Sequence, residues 1–371
     1  MINIYLLFIL TKPKPKPKPK PKPKPKPKHK PKPKPKPTPN LTEQKQMEQQ
    51  YEIKDYMQWS SEIHNIIEDE LRIICQPGAK VIDIVLHIEN RIDELTTQYV
   101  LDNGLNDDFS RGKAFPVGIN INNIAAHWSP LTESDCNRII EQLDVVTIDY
   151  GIHFNGYILD AAFSFAYDEK HRNLLECGLR ACQDTASIVK SGISIYTLSK
   201  NIMKIAKQYK FGLIRDLCGH QIGQYKIHDG FVIPNCDMNL KKTVTTGSLF
   251  TIEPFISNKK GTIKYTTDIS HYMFNYHAFN YDKLVGLGKI PYFLIKYGTL
   301  AFNRRHIDSS FYPILDKLVT EQIYQAYPPI IETDTNAYVC QFETTLYVES
   351  DTNVINYKQH NDINSYLLIA K

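Results

Sequence analysis

The sequence predicts an α+β domain in which helices flank an antiparallel sheet. Three observations predict it. Apolar residues near the start of the body recur with helical spacing. Residues 144–166 switch to two-residue alternation around an Asn-Gly pair. The stretch 213–275 is strand-rich and punctuated by glycine.

Taken in order, residues 1–11 are a short apolar N-terminus. The run Ile2 to Leu10 is about half the length needed to span a bilayer. No positive segment precedes it and no small-residue cleavage site follows, so neither a membrane anchor nor a secretory signal is expected. Residues 12–37 alternate Lys and Pro, with 13 Lys, 12 Pro and no acid. Proline removes alternate backbone donors and biases the preceding residue toward extended angles. A polyproline-II-like rod is expected, reaching roughly 80 Å at about 3.1 Å per residue. Polar linker runs on to residue 50. Residues 51–75 and 79–101 read as amphipathic helices. In the second, Val81, Ile84, Val85, Ile88, Ile92 and Leu95 keep helical spacing, and Gln76-Pro77-Gly78 separates the two. Residues 144–166 read as a hairpin turning at Asn155-Gly156. Residues 172–190 and 196–210 look helical, 281–327 mixed and partly helical, and 337–349 strand-like. The expected organisation is a Lys-Pro tail and linker at 12–50 and one folded domain at 51–371.

Charge divides the chain the same way. The whole carries 44 basic and 40 acidic residues. Removing the 13 tail lysines leaves 31 against 40, so a basic tail joins an acidic body of net −9. The tail suits an electrostatic tether to RNA, ribosomes or another polyanion, and equally a solubilising extension. Seven cysteines, an odd number without a CxxC pair, favour reduced thiols and an intracellular, cytoplasmic location over a disulfide framework.

Five residues carry the chemistry. With a two-residue turn at Asn155-Gly156, cross-strand partners sum to 311, so Asp149 faces residue 162 and shares a sheet face with Asp160. Such diagonal neighbours sit about 7–8 Å apart. Either the two carboxylates are solvated or a cation lies between them. His220 stands between glycines in Cys218-Gly219-His220-Gln221-Ile222-Gly223, and at even strand spacing His228 shares its face. Glu253 and Glu343 each lie inside a short apolar strand, where an unpaired carboxylate is rare. Each alone also fits an edge-strand acid or a structural histidine. Together, four carboxylates and one imidazole suit a pair of divalent first-row metals better than a thiolate zinc site.

At these residues the sequence resembles the type 2 methionine aminopeptidases of the pita-bread metallopeptidase family. The resemblance runs over nearly all of 51–350. It is carried by Ala114-Phe115-Pro116-Val117-Gly118, Ala125-Ala126-His127, Thr147-Ile148-Asp149-Tyr150-Gly151, Ile158-Leu159-Asp160-Ala161-Ala162-Phe163, Gly219-His220-Gln221-Ile222-Gly223, Thr251-Ile252-Glu253-Pro254, Ser270-His271-Tyr272-Met273 and Gln341-Phe342-Glu343. It implies a pita-bread fold with a helical insertion at about 276–335. It implies removal of N-terminal methionine from nascent proteins and peptides with two divalent ions (Co, Mn, Fe or Zn). Asp149 would chelate one ion, Asp160 and Glu343 would bridge both, and His220 and Glu253 would hold the other. Glu253 would shuttle the proton of the attacking hydroxide, His228 would meet the oxyanion, and His127 would sit near the scissile nitrogen. Phe115, Ile227, His271, Ala301 and Tyr327 would line the methionine pocket. A monomer without membrane contact is expected, its tail touching ribosome or RNA. Cys218, Trp128 and Asp229 depart from the family's usual pattern, and none removes a ligand.

Two other readings fit the residues. An X-Pro aminopeptidase or dipeptidase shares these ligands, but usually has a separate N-terminal domain for which little room precedes the body. A non-catalytic pita-bread protein binding RNA or proteins would have lost ligands, and here all five are present.

Overall fold

A computed structural model describes residues 51–276, 278 and 291–368. The tail, the apolar N-terminus and part of the expected insertion lie outside the described residues. The chain divides into two units, Met1–Glu52 and Ile53–Lys371, and the second holds the elements of the fold.

Helices α1 (Ile53–Ile74) and α2 (Val81–Asp102) come first. Helix α1 buries Tyr56, Met57, Ile63, Ile67 and Leu71, one stripe at helical spacing. Pro77 and Gly78, the latter at φ 94°, end its run. Short strands β1 (Arg111–Lys113), β2 (Gly118–Ile121) and β3 (Ile124–Ala126) and the one-turn helix α3 (Glu133–Asn137) lead to the hairpin β4 (Val145–Phe154) and β5 (Tyr157–Ala166). Asn155 and Gly156 both take positive φ, 49° and 76°, which a two-residue turn of matching twist requires. Strand β4 pairs β5 along one edge and β2 and β1 along the other. Helices α4 (Arg172–Ser187) and α5 (Ile195–Tyr209) follow.

Next come β6 (Gly212–Leu213), β7 (Cys218–Ile222), β8 (Val232–Pro234), β9 (Leu249–Ile252), β10 (Phe255–Ser257), β11 (Ile263–Tyr265) and β12 (His271–Phe274). Then α6 (Tyr292–Tyr297), β13 (Phe302–Asn303), α7 (Tyr312–Thr320) and β14 (Tyr324–Tyr327) occupy the described part of the expected insertion. They close a second core of Phe293, Phe302, Leu315, Leu318, Ile323 and Tyr324. The chain ends with β15 (Ile330–Glu332), β16 (Val339–Gln341), β17 (Thr344–Val348) and β18 (Val354–Asn356). A five-stranded sheet runs β18-β17-β9-β7-β8, and a three-stranded sheet runs β16-β10-β6. All named pairings are antiparallel, as expected for an α+β domain. No helix among the described residues is long and apolar enough to cross a membrane. The seven cysteines are free.

Candidate metal centre

The hairpin places the first two carboxylates. Asp149 faces Ala162 and Gly151 faces Asp160, the register expected from the turn. Thr345 of β17 fixes Asp160 from behind. The Asp160 N–H donates to Thr345 Oγ1 at 3.0 Å, and that hydroxyl donates to the Asp160 carbonyl at 2.6 Å.

His220 lies in β7, next to β9. Its N–H donates to Thr251 Oγ1 at 3.1 Å. Gly219 permits this approach, because a Cβ there would stand 2.5 Å from the Thr251 carbonyl oxygen. Thr251 Oγ1 in turn donates to Glu253 Oε1 at 3.2 Å.

Glu253 and Glu343 do not lie inside strands, contrary to the expectation from their apolar neighbours. Glu253 follows β9 of the five-stranded sheet and precedes β10 of the three-stranded one. Glu343 follows β16 of the three-stranded sheet and precedes β17 of the five-stranded one. The two segments are neighbours on both sides of the break, through Ile252 with Thr344 and Phe255 with Gln341. Each glutamate therefore sits where its chain changes sheet. Pro254 lacks the N–H that a continuing ladder needs. His228 also differs from expectation. It belongs to the loop between β7 and β8, and its ring reaches the His220 ring edge-on with centroids 4.4 Å apart. The loop, and not strand spacing, brings the two together.

The ligand atoms converge. His220 Nε2 lies 3.4 Å from Asp160 Oδ2 and 3.3 Å from Glu253 Oε1. Asp160, His220 and Glu343 offer one atom each within 4.8 Å of one another. Gln341 Nε2 donates to Glu343 Oε2 at 3.2 Å and approaches Glu253 Oε2 at 3.5 Å. Burial and mutual repulsion push Asp149, Glu253 and Glu343 well above the usual carboxylate range. Burial raises Asp160 to about 7. Burial lowers His220 to about 4, so its imidazole is neutral near pH 7 and free to coordinate. Asp149 Oδ1 and Glu343 Oε1 are buried without a hydrogen-bond donor. Four clustered carboxyl groups, two of them with an orphaned buried oxygen, and a neutral imidazole form a donor set that suits hard divalent cations.

The site opens into a cavity of about 480 Å³. Its lining includes all twelve residues expected to act there: Phe115, His127, Asp149, Asp160, His220, Ile227, His228, Glu253, His271, Ala301, Tyr327 and Glu343. His127 holds φ 62°, a conformation that costs a non-glycine residue energy and concentrates at functional sites. Its ring meets Tyr327 edge-on at 5.6 Å and lies 5.9 Å from the His271 ring. Burial and the nearby His228 lower His127 to about 4. The apolar wall includes Phe115, Ile227, Ala301 and Tyr327, together with Met273, Phe231 and Phe255, which were not foreseen. Thr251 and Gln341 were also not singled out as site residues. Each stands two positions before a glutamate, and that spacing was the available signal.

Comparison with known proteins gives concordant results. The model of metallopeptidase family M24 matches residues 53–273. Methionine aminopeptidase 2A of Arabidopsis thaliana is 30% identical over 325 residues, covering 82% of this chain and 70% of its own. Methionine aminopeptidase 2 of Sclerotinia sclerotiorum is 31% identical over 311 residues, covering 79% and 68%. Among solved structures, a thermophilic Arx1 superposes with TM-score 0.69 at 17% identity, covering 84% of this chain and 92% of its own. The methionine aminopeptidase of Thermotoga maritima gives TM-score 0.56 at 15% identity, covering 82% and 96%. At such identities the structural matches speak for the pita-bread fold alone.

Proposed function

Because the chain belongs to metallopeptidase family M24 and, within it, to the methionine aminopeptidases of type 2, it is a metal-dependent exopeptidase, and we propose that it removes N-terminal methionine from peptides and nascent chains with a pair of divalent ions. The observation that carries the reading is the convergence of Asp149, Asp160, His220, Glu253 and Glu343 on one cavity. Asp160 and Glu343 would be shared by the two ions, Asp149 would serve one of them, and His220 and Glu253 would serve the other. When bound, such a pair supplies Lewis acidity that lowers the pKa of water toward neutrality.

The protein groups have separate tasks. Glu253 accepts the proton of the attacking water and passes it to the departing amine nitrogen. Thr251 Oγ1, 3.2 Å from Glu253 Oε1, orients that carboxylate. An imidazole N–H of His228 donates to the carbonyl oxygen as charge develops there. His127 faces the scissile nitrogen. Phe115, Ile227, His271, Ala301 and Tyr327 exclude water around the methionine side chain. Co, Mn, Fe and Zn all suit such donors. The Lys-Pro tail acts as a tether to ribosome or RNA, and the enzyme works as a cytoplasmic monomer.

A comparison of Met-Ala-Ser with Ala-Pro peptides tests the reading. Methionine should be released from the first and nothing from the second. Hydrolysis of the Pro substrate alone would replace this proposal with an X-Pro peptidase. Metal analysis after reconstitution should give two equivalents. Less than one equivalent, with no turnover, points to a non-catalytic binding protein.

A further inference from the structure

The last described segment folds back behind Glu343, and none of its residues lines the cavity. It is tied at both ends. The Tyr357 N–H donates to the Thr345 carbonyl at 3.0 Å, and the Leu368 N–H donates to the Ala166 carbonyl at 2.9 Å. Between them, Thr344 Oγ1 donates to the Lys358 carbonyl at 2.7 Å. The Lys358 ammonium is 1% exposed. It pairs with the equally buried Glu68 of α1 and donates to Asn65 Oδ1 at 2.8 Å. Tyr366 Oη donates to Glu68 Oε1 at 3.1 Å.

This segment brings His360 against Glu343. His360 Nε2 stands 2.9 Å from the Glu343 carbonyl oxygen. A carbonyl only accepts, so Nε2 carries the proton. The ring is held edge-on to Phe342, centroids 5.3 Å apart, and its Nδ1 is 3.3 Å from Tyr366 Oη. On the other side, the Glu343 N–H donates to the Ala162 carbonyl at 2.8 Å. Both peptide planes flanking the Glu343 Cα are therefore tied, one to the hairpin and one to His360. That matters because Glu343 lies in a break between strands. The direction of its Cα–Cβ bond follows from those two planes, and with it the reach of the carboxylate toward Asp160 and His220.

We infer that His360 is a positioning residue, holding the Glu343 peptide so that its carboxylate is presented ready-made to the metal centre. The inference rests on the proposed metal-dependent reading. Loss of the Nε2–H donor frees the Glu343 peptide, weakens metal binding and slows turnover. The methionine pocket is untouched, so KM holds.

Titration calorimetry of the full-length, metal-stripped protein with Mn²⁺, alongside kcat and KM on Met-Ala-Ser, tests it. His360→Phe keeps an aromatic ring against Phe342 and removes the donor. It should weaken Mn²⁺ binding about tenfold, as loss of an outer partner of a metal ligand does, and lower kcat with KM unchanged. His360→Gln places an amide N–H near the position of Nε2 and should recover the affinity to within about threefold. His360→Asn, too short to reach the carbonyl, should lose as much as His360→Phe and serves if that variant does not fold. Leu315→Ala, in the distant insertion core, should lower Tm and leave the isotherm unchanged. A wild-type isotherm in His360→Phe and His360→Asn, or a loss in His360→Gln as deep as theirs, overturns the inference while leaving the proposed function standing. Wild-type protein that takes up no Mn²⁺ overturns both.

Discussion

At the scale of the residue, the centre depends on the protonation states set by burial. His220 faces Asp160 and Glu253 at 3.4 and 3.3 Å. Replacing it by Ala removes a proposed ligand and leaves β7 paired through its backbone. Turnover of Met-Ala-Ser should fall by at least about a hundredfold. Circular dichroism should remain that of wild type, and near wild-type activity would count against the metal assignment. Glu253→Gln keeps the shape and removes the proton acceptor. It should lower kcat by about 10²–10⁴. Much of this constellation was legible in the sequence. The pairing of Asp149 with residue 162 followed from a two-residue turn, and Asn-Gly is one of the few pairs that readily take both positive φ values. Gln341 and Thr251 were less legible. Their function lies in what they touch, and a polar residue two positions before a glutamate has many uses in a strand.

At the scale of the element, the long amphipathic pieces were readable and the sheet changes were not. Helices α1 and α2 carry enough turns for their apolar stripe to show. The breaks at Glu253 and Glu343 are two residues long, and Pro254 marks the first while nothing marks the second. Which sheet a short strand joins is decided by partners far along the chain, as with Phe255 and Gln341. A further long-range tie joins α2 to the insertion. Glu89 accepts from Arg305 Nη1 at 2.8 Å and lies 2.9 Å from His306 Nε2, just beyond β13 and the Ala301 wall of the pocket. Burial alone raises Glu89, yet the hydrogen bonds and charges of His306 and Arg305 prevail and hold it at about 2, against an ordinary 4.5. The folded pKa is depressed, so the stabilisation is present above pH 4.5 and lost as pH falls toward 2. Glu89→Gln should therefore lower stability on the order of 3 kcal/mol at pH 7. Its gap from wild type should close between pH 4.5 and 2 in thermal or urea unfolding. A gap that does not change with pH would show that packing, not charge, holds the insertion there.

At the scale of the molecule, two parts of opposite charge share one chain. Thirteen lysines without an acid precede a body of net −9, so the tail repels itself and is not expected to supply apolar surface to the core. Every residue lining the cavity falls within the span from Phe115 to Glu343. Chemistry on a short peptide should therefore be indifferent to the tail, whereas capture of a polyanion should depend on it. Deleting residues 1–45 should leave kcat/KM for a Met tripeptide within tenfold of wild type. The same deletion should abolish binding to single-stranded RNA. Full-length binding should weaken steeply with salt, by a slope of about −0.7 in log K per phosphate neutralised. Because electrostatic capture raises local concentration and not the rate at a bound peptide bond, the tail's effect belongs in the on-rate for large substrates such as a ribosome-borne chain. A loss greater than tenfold on the tripeptide would mean that the tail reaches the site itself. RNA binding that survives the deletion would move the basic surface onto the body, against its net negative charge.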